Sequence, residues 1–169
     1  MLSNHQLAPL FSLPDLKGTT HSLADYRGKI AILNFWSAEC PWSARRDAEL
    51  IPLLDKWGQL VTVLPIASNA NESLELISQA AQDRGLPLVL LDRDQSVADL
   101  YAAQTTPHFF VIDPSGILGY QGAFDDITFR QRTATCNFLA DTVEALLAER
   151  LPDPPSTLPY GCSIVRYLP

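Results

Sequence analysis

Charge is scarce in this chain. Only 18% of its 169 residues are charged, against about a quarter in an ordinary globular domain. Basic residues are the scarcer kind, 12 against 19 acidic ones, for a formal net charge of -7. That balance lacks the basic stripe a nucleic-acid surface requires, and it disfavours anionic membrane surfaces. No apolar run approaches the roughly 18 residues of a membrane-spanning helix. The opening residues, MLSNHQLAPLF, lack a basic stretch followed by an apolar block, so a secretory signal is not expected. Cysteine is sparse too. Cys40, Cys136 and Cys162 are odd in number and far apart, unlike the framework of a small disulfide-stapled secreted domain. A reducing, cytoplasmic setting is the expectation. His5, His21 and His108 show no metal-ligand spacing among themselves or with the cysteines. No metal or other cofactor is therefore expected. A Gly-x-Ser-x-Gly turn is also missing, which argues against a serine hydrolase.

What is present is apolar: 47% of the residues. A chain of this length and composition buries a sizeable core in a single domain. Residues 10–24 read as a hairpin around Lys17-Gly18. Residues 30–36, IAILNFW, form an unbroken apolar run suited to a strand covered on both faces. Pro41 opens a helix that reaches Trp57 and stops at Gly58, with Pro52 inside it. Residues 60–67 and 87–92 read as further buried strands, and 71–85 and 94–103 as helices. Residues 107–113 and 117–122 pair across the turn Asp113-Pro114-Ser115-Gly116. Thr133 to Arg150 carries a helical apolar stripe through Cys136, Leu139, Ala140, Val143, Leu146 and Leu147. The order of elements predicts a three-layer α/β/α domain over residues 1–150 with a central mixed sheet. Residues 151–169, rich in proline, are expected to lie extended and packed on that domain.

Cys40 has the most informative position. It follows a buried strand and precedes Pro41 at a helix start. A helix N-terminus presents unpaired N–H groups and a partial positive charge. A thiolate there is stabilised below the free value of about 8.5. Arg45 and Arg46 add positive potential if they lean back, whereas Glu39 opposes it.

The segment NFWSAECPWS, residues 34–43, resembles the active-site segment of the thioredoxin superfamily, in particular redoxins of the thiol-disulfide reductase type. Thr106-Pro107-His108-Phe109-Phe110-Val111-Ile112-Asp113 matches the segment that faces the reactive cysteine in that superfamily. Tyr120 to Asp126, with the tail Tyr160-Gly161-Cys162-Ser163-Ile164, resembles the peroxiredoxin-like (AhpC/TSA-like) redoxins. The resemblance implies a thioredoxin fold, a cis Thr106-Pro107 bond and a redox-active Cys40. It also implies that Thr106 and Pro107 contact substrate, and Trp42, on the first helical turn, is expected to shield the thiol or to contact a substrate or partner.

The chain departs from the family pattern in three places. Ser43 stands where the second cysteine of a Cys-x-x-Cys motif belongs, and a hydroxyl cannot resolve a mixed disulfide. Leu33 stands where a peroxiredoxin proline belongs, with Arg45, Arg46 and Arg130 as candidate peroxide-polarising cations. Asn34 replaces the buried aspartate of classical thioredoxins and is expected to be a hydrogen-bonding strand residue. Ser43 is expected to donate to the Cys40 thiolate. Cys162, 122 residues beyond Cys40 and on a mobile tail, is a candidate resolving thiol, because the cost of closing a loop grows only logarithmically. Cys136 is expected to be core filler, and His108 a strand residue.

The sequence therefore points to a thiol-disulfide oxidoreductase using Cys40 in a CxxS motif. Its substrate would be a protein disulfide or a small hydroperoxide, and thioredoxin or glutathione would reset it. A peroxiredoxin-like peroxidase is the catalytic alternative. A redox-inert module docking a partner through Trp42 and Pro107 is the alternative of another class.

Overall fold

A computed structural model describes residues 2–168. The apolar run of residues 30–36 becomes β3 (Ile30–Trp36), buried along its whole length. It pairs in parallel with β4 (Val61–Ala67), which continues in parallel to the short β5 (Leu90–Leu91). On its other side β3 pairs antiparallel with β7 (His108–Ile112), and β7 with β8 (Leu118–Gly122). The sheet order is thus β5-β4-β3-β7-β8, the mixed sheet the sequence predicts. β1 (Ser12–Pro14) and β2 (Thr20–Ser22) form the N-terminal hairpin.

Side chains on a strand alternate between faces, and the sheet is covered accordingly. Ile30 and Ile32 face α1 (Pro41–Trp57) and α4 (Phe138–Leu147), meeting Leu50, Trp57, Leu139 and Val143. Ala31, Leu33 and Phe35 face the hairpin and α3 (Ser96–Leu100), meeting Phe11, Leu23, Val97 and Tyr101. α2 (Leu74–Asp83) closes the end of the sheet over Trp36 and Ala67 through Ile77 and Ala81. α1 runs through Pro52 and ends at Gly58, whose φ of 58° suits a residue without Cβ.

Several expected elements are shorter than the apolar pattern suggests, among them the helix expected at 94–103, which keeps only Ser96–Leu100. The strand expected at 87–92 keeps only Leu90–Leu91. α2 starts at Leu74, where the Ser73 side chain accepts the Leu76 N–H as a cap. The largest correction concerns residues 133–137. They are loop, and Cys136 is exposed rather than core filler. The Asp126 carboxylate explains this by accepting hydrogen bonds from the backbone of Thr135 and Cys136 and from the side chains of Thr135 and Gln131. These bonds, the Thr135 hydroxyl's foremost, hold the Asp126 carboxyl well below the usual carboxylate range. The helix begins only after Asn137, whose side chain accepts the Ala140 N–H at 3.0 Å.

The C-terminal segment is extended and docked on the domain. β9 (Cys162–Ser163) pairs antiparallel with β6 (Thr105–Thr106), with Cys162 opposite Thr106. Upstream, the Thr157 N–H donates to the Gln121 carbonyl at 3.0 Å. Downstream, the Ile164 N–H donates to the Gln104 carbonyl at 3.0 Å and the Val165 N–H to Asn69 Oδ1 at 2.9 Å, while Ile164 is buried with the hairpin-side core.

Candidate active site

The loop between β3 and α1 is built from below by a buried acid. Glu72 is 1% exposed. It accepts the Ser37 hydroxyl and the backbone N–H groups of Ala38 and Glu39, the last two at 3.2 Å each. Ser37 Oγ in turn accepts the Cys40 N–H at 3.0 Å. From the side, Arg84 donates to the carbonyls of Ser37 and Ala38 and to Asp47. Asp47 also accepts Trp36 Nε1 at 2.8 Å, tying α1 to β3. Burial pushes the Asp47 carboxyl up. Glu72 and Arg84 were not legible as site residues, because 35 and 47 positions separate them from Ser37. A single sequence carries no signal for such contacts.

This frame fixes Cys40 as the residue that caps α1, one position before Pro41. Its sulfur lies 2.9 Å from the carbonyl oxygen of Thr106, to which the thiol donates. The Thr106-Pro107 bond is cis. Cys40 and Thr106-Pro107 are therefore together, although 66 positions separate the cysteine from Thr106. The structure adds Cys162 to the group. Burial opposes ionisation of Cys40 most strongly. It is outweighed by the Cys162 thiol as donor, with the backbone N–H groups of Ser43 and Cys162, so the Cys40 thiol is held below the ordinary cysteine value. The partner goes the other way. Burial, its hydrogen bond to Cys40 and the Cys40 charge push the Cys162 thiol up to about 12.

Cys40 is buried, 3% exposed. Several expectations need correction. Ser43 acts on Cys40 through its backbone N–H, while its hydroxyl accepts the Ser37 N–H at 3.3 Å. Arg45 and Arg46 do not lean toward the sulfur. Arg45 pairs with Glu49 at 3.0 Å, and Arg46 pairs with Asp125 at 2.6 Å with both side chains buried. Carboxylates outcompete a distant thiolate for these cations because they approach to contact distance. Arg130 stacks on the exposed Phe129. Asn34 is fully buried, yet neither its Oδ1 nor its Nδ2 has a hydrogen-bond partner among the described residues. His108 is a strand residue, as expected. It packs on Phe110 and accepts the Gln104 N–H at Nδ1, and burial pulls its pKa down to about 4. Trp42 meets Tyr160 edge to face, with ring centroids 4.9 Å apart. No group of three or more potential metal ligands occurs among the described residues.

The AhpC/TSA family model matches residues 5–121, well over half the chain. The chain belongs to the AhpC/TSA family. It is 36% identical over 113 residues to the thiol-disulfide oxidoreductase ResA of Geobacillus kaustophilus, covering 64% of this chain and 63% of that protein. The chain thus spans less than two thirds of the length of that relative. It is also 32% identical over 110 residues to a putative peroxiredoxin bcp of Coxiella burnetii, covering 62% and 70%. Among solved structures, a hypothetical protein of Sinorhizobium meliloti superposes with a TM-score of 0.89 at 28% identity, covering 100% of this chain and 97% of that one. The thioredoxin domain of a thiol-disulfide oxidoreductase from Bacteroides vulgatus superposes with a TM-score of 0.67 over 85% of this chain and 97% of that one. At 23% identity this likeness speaks for the fold alone, and the fold is that of thioredoxin.

Proposed function

We propose that this AhpC/TSA member is a thiol-disulfide oxidoreductase whose two working thiols come from opposite ends of the chain, Cys40 and Cys162. The placement of Cys162 against Cys40, beside Thr106 and Pro107, carries this reading. The sequence offers Cys40 as the nucleophile, with Ser43 three positions beyond it, and Cys162 as a candidate resolving thiol. In this reading the tail supplies that second thiol.

The chemistry follows from the opposite shifts of the pair. The Cys40 thiolate attacks one sulfur of a substrate disulfide, and the substrate's other sulfur leaves as a thiolate that takes up a proton. Cys162 then gives up its proton and attacks Cys40 in the mixed disulfide. The second substrate sulfur leaves, and a Cys40–Cys162 disulfide remains. Two electrons have passed to the substrate, and an external dithiol such as thioredoxin, or glutathione, returns the enzyme to its reduced form. Once Cys40 is consumed its negative charge is gone, so one cause that raises the Cys162 pKa disappears when that thiol must ionise. Access to Cys40 requires the stretch from Leu158 to Cys162 to lift between its anchors at Thr157 and Ile164. Leu158, exposed on that stretch, Trp42 and Tyr160 are the surface a substrate meets. A hydroperoxide would lack the arginine that polarises it, since Arg45 and Arg46 are held by Glu49 and Asp125.

Trapping tests the proposal. Cys162→Ser incubated with a disulfide-bonded protein accumulates a mixed disulfide at Cys40, whereas the unsubstituted protein turns over. Equal turnover by both would contradict it.

A further inference from the structure

Gly161 lies directly on the peptide that joins Thr106 to Pro107. A Cβ on Gly161 would stand 2.2 Å from the Thr106 carbonyl oxygen, 2.7 Å from its carbon and 2.9 Å from Pro107 N. All three are backbone atoms and have no rotamer by which to move aside. The same Thr106 carbonyl receives the Cys40 thiol. The next residue along is Cys162, paired opposite Thr106. The carbonyl that receives the Cys40 thiol is therefore the one Gly161 lies against, and Cys162 is the residue that follows Gly161.

The C-terminal strap, Thr157 to Arg166, is pinned on either side of this point. Before it, Thr157 Oγ1 bonds the Tyr120 hydroxyl at 2.6 Å and accepts the Ala123 N–H at 3.0 Å. After it, Gln95 Nε2 donates to the Val165 carbonyl at 2.8 Å, and Arg166 donates to Asp99 and to the Ala103 carbonyl at 2.7 Å each. A change at residue 161 cannot be relaxed by sliding the strap along. It lifts the middle and leaves the ends in place.

We propose that Gly161 is a positioning residue that, by having no side chain against Thr106-Pro107, brings the Cys162 thiol onto Cys40. The inference rests on the two-thiol reading above. A methyl group at 161 would raise the strap off the cis-proline backbone and part the two sulfurs without touching the β3–α1 frame that holds Cys40. The thiolate of Cys40 would lose its main donor, and Cys162 would lose the negative charge that keeps it protonated.

The test follows the pH dependence of alkylation of each cysteine, resolved by mass spectrometry, in the full-length protein. Gly161→Ala is expected to raise the Cys40 midpoint as far as Cys162→Ala, which removes the donor, does, and the double variant no further. It is also expected to slow formation of the Cys40–Cys162 disulfide by oxidised glutathione about tenfold or more, since an intramolecular step depends steeply on alignment. Ser163→Ala, an exposed neighbour on the same strand, leaves both readouts unchanged. A variant with one glycine inserted before residue 161 displaces the register without adding a side chain. It gives the same upward midpoint even if Gly161→Ala fails to show a cooperative melting transition. If Cys162→Ala raises the midpoint while Gly161→Ala and the insertion do not, the positioning role is overturned and the two-thiol reading stands. If Cys162→Ala itself leaves the midpoint in place, the two-thiol reading falls, and this inference with it.

Discussion

The two segments that meet at the site are built in opposite ways. Trp36 to Ser43 is held by the interior: a sheet strand on one side, a long helix on the other, and the buried carboxylates of Glu72 and Asp47 beneath. Thr157 to Arg166 is held from outside. A two-residue strand and a handful of polar bonds attach it, with Ile164 as its buried side chain nearest the site. The first segment fixes the Cys40 thiol in place, and the second brings the Cys162 thiol that does most to lower the Cys40 pKa while its own is raised. Damage to the first should therefore reach both stability and chemistry, whereas damage to the second should reach chemistry alone.

The largest effect that would break this contrast is at the sulfurs. Cys40→Ser should reduce disulfide exchange to background in a protein-disulfide reduction assay. Cys162→Ser should abolish turnover while leaving the first attack intact and the thermal transition close to that of the unsubstituted protein. A Cys162→Ser protein with full turnover would show that the strap is only packing.

A second effect lies in the sheet, at the first residue of β7. His108 titrates near 4 because it is buried, against about 6.5 when unfolded. Between those values the unfolded chain holds a proton there that the folded one refuses, so stability falls as pH drops from about 6.5 to about 4 and levels off below. The loss is on the order of 3 kcal/mol. Urea titrations at stepped pH should show it, and His108→Gln should flatten it. An unchanged slope in that variant would assign the acid sensitivity elsewhere.

Asn34 sharpens the interior side of the comparison. On β3 it lies on the α1 face with Ile30 and Ile32, and its amide is unpaired among the described residues. Leaving a buried polar group unmatched costs about 1–3 kcal/mol. Asn34→Leu should therefore stabilise the protein by roughly 1–2 kcal/mol in chemical denaturation, and destabilisation would reveal a partner for the amide. The smallest effect belongs to Cys136. It is exposed on the loop that Asp126 gathers, and Cys136→Ser should leave melting temperature and turnover unchanged.

The same contrast explains what was legible in the sequence. β3 and α1 were readable to the residue, because an apolar run bounded by Pro41 and Gly58 is a local signal. Cys40 as a helix-capping thiol followed from that local pattern, and its neighbour Thr106-Pro107 from the family resemblance. Cys136 was misplaced because apolar spacing continued upstream of the true cap at Asn137, and the competing Asp126 network joins residues about ten positions apart. The burial of Cys40, the diversion of Arg46 to Asp125 and the seating of Gly161 on Thr106 all depend on contacts between distant parts of the chain. No periodicity records them.

The central claim is that Cys40 and Cys162 act as one redox pair. Peptide mapping after titration with oxidised glutathione tests it most directly. The account predicts a Cys40–Cys162 linkage that forms within one molecule, independently of protein concentration, with Cys136 still free. Cys40 linked instead to Cys136 or to a second molecule, or left as a glutathione adduct that Cys162 never displaces, would contradict it.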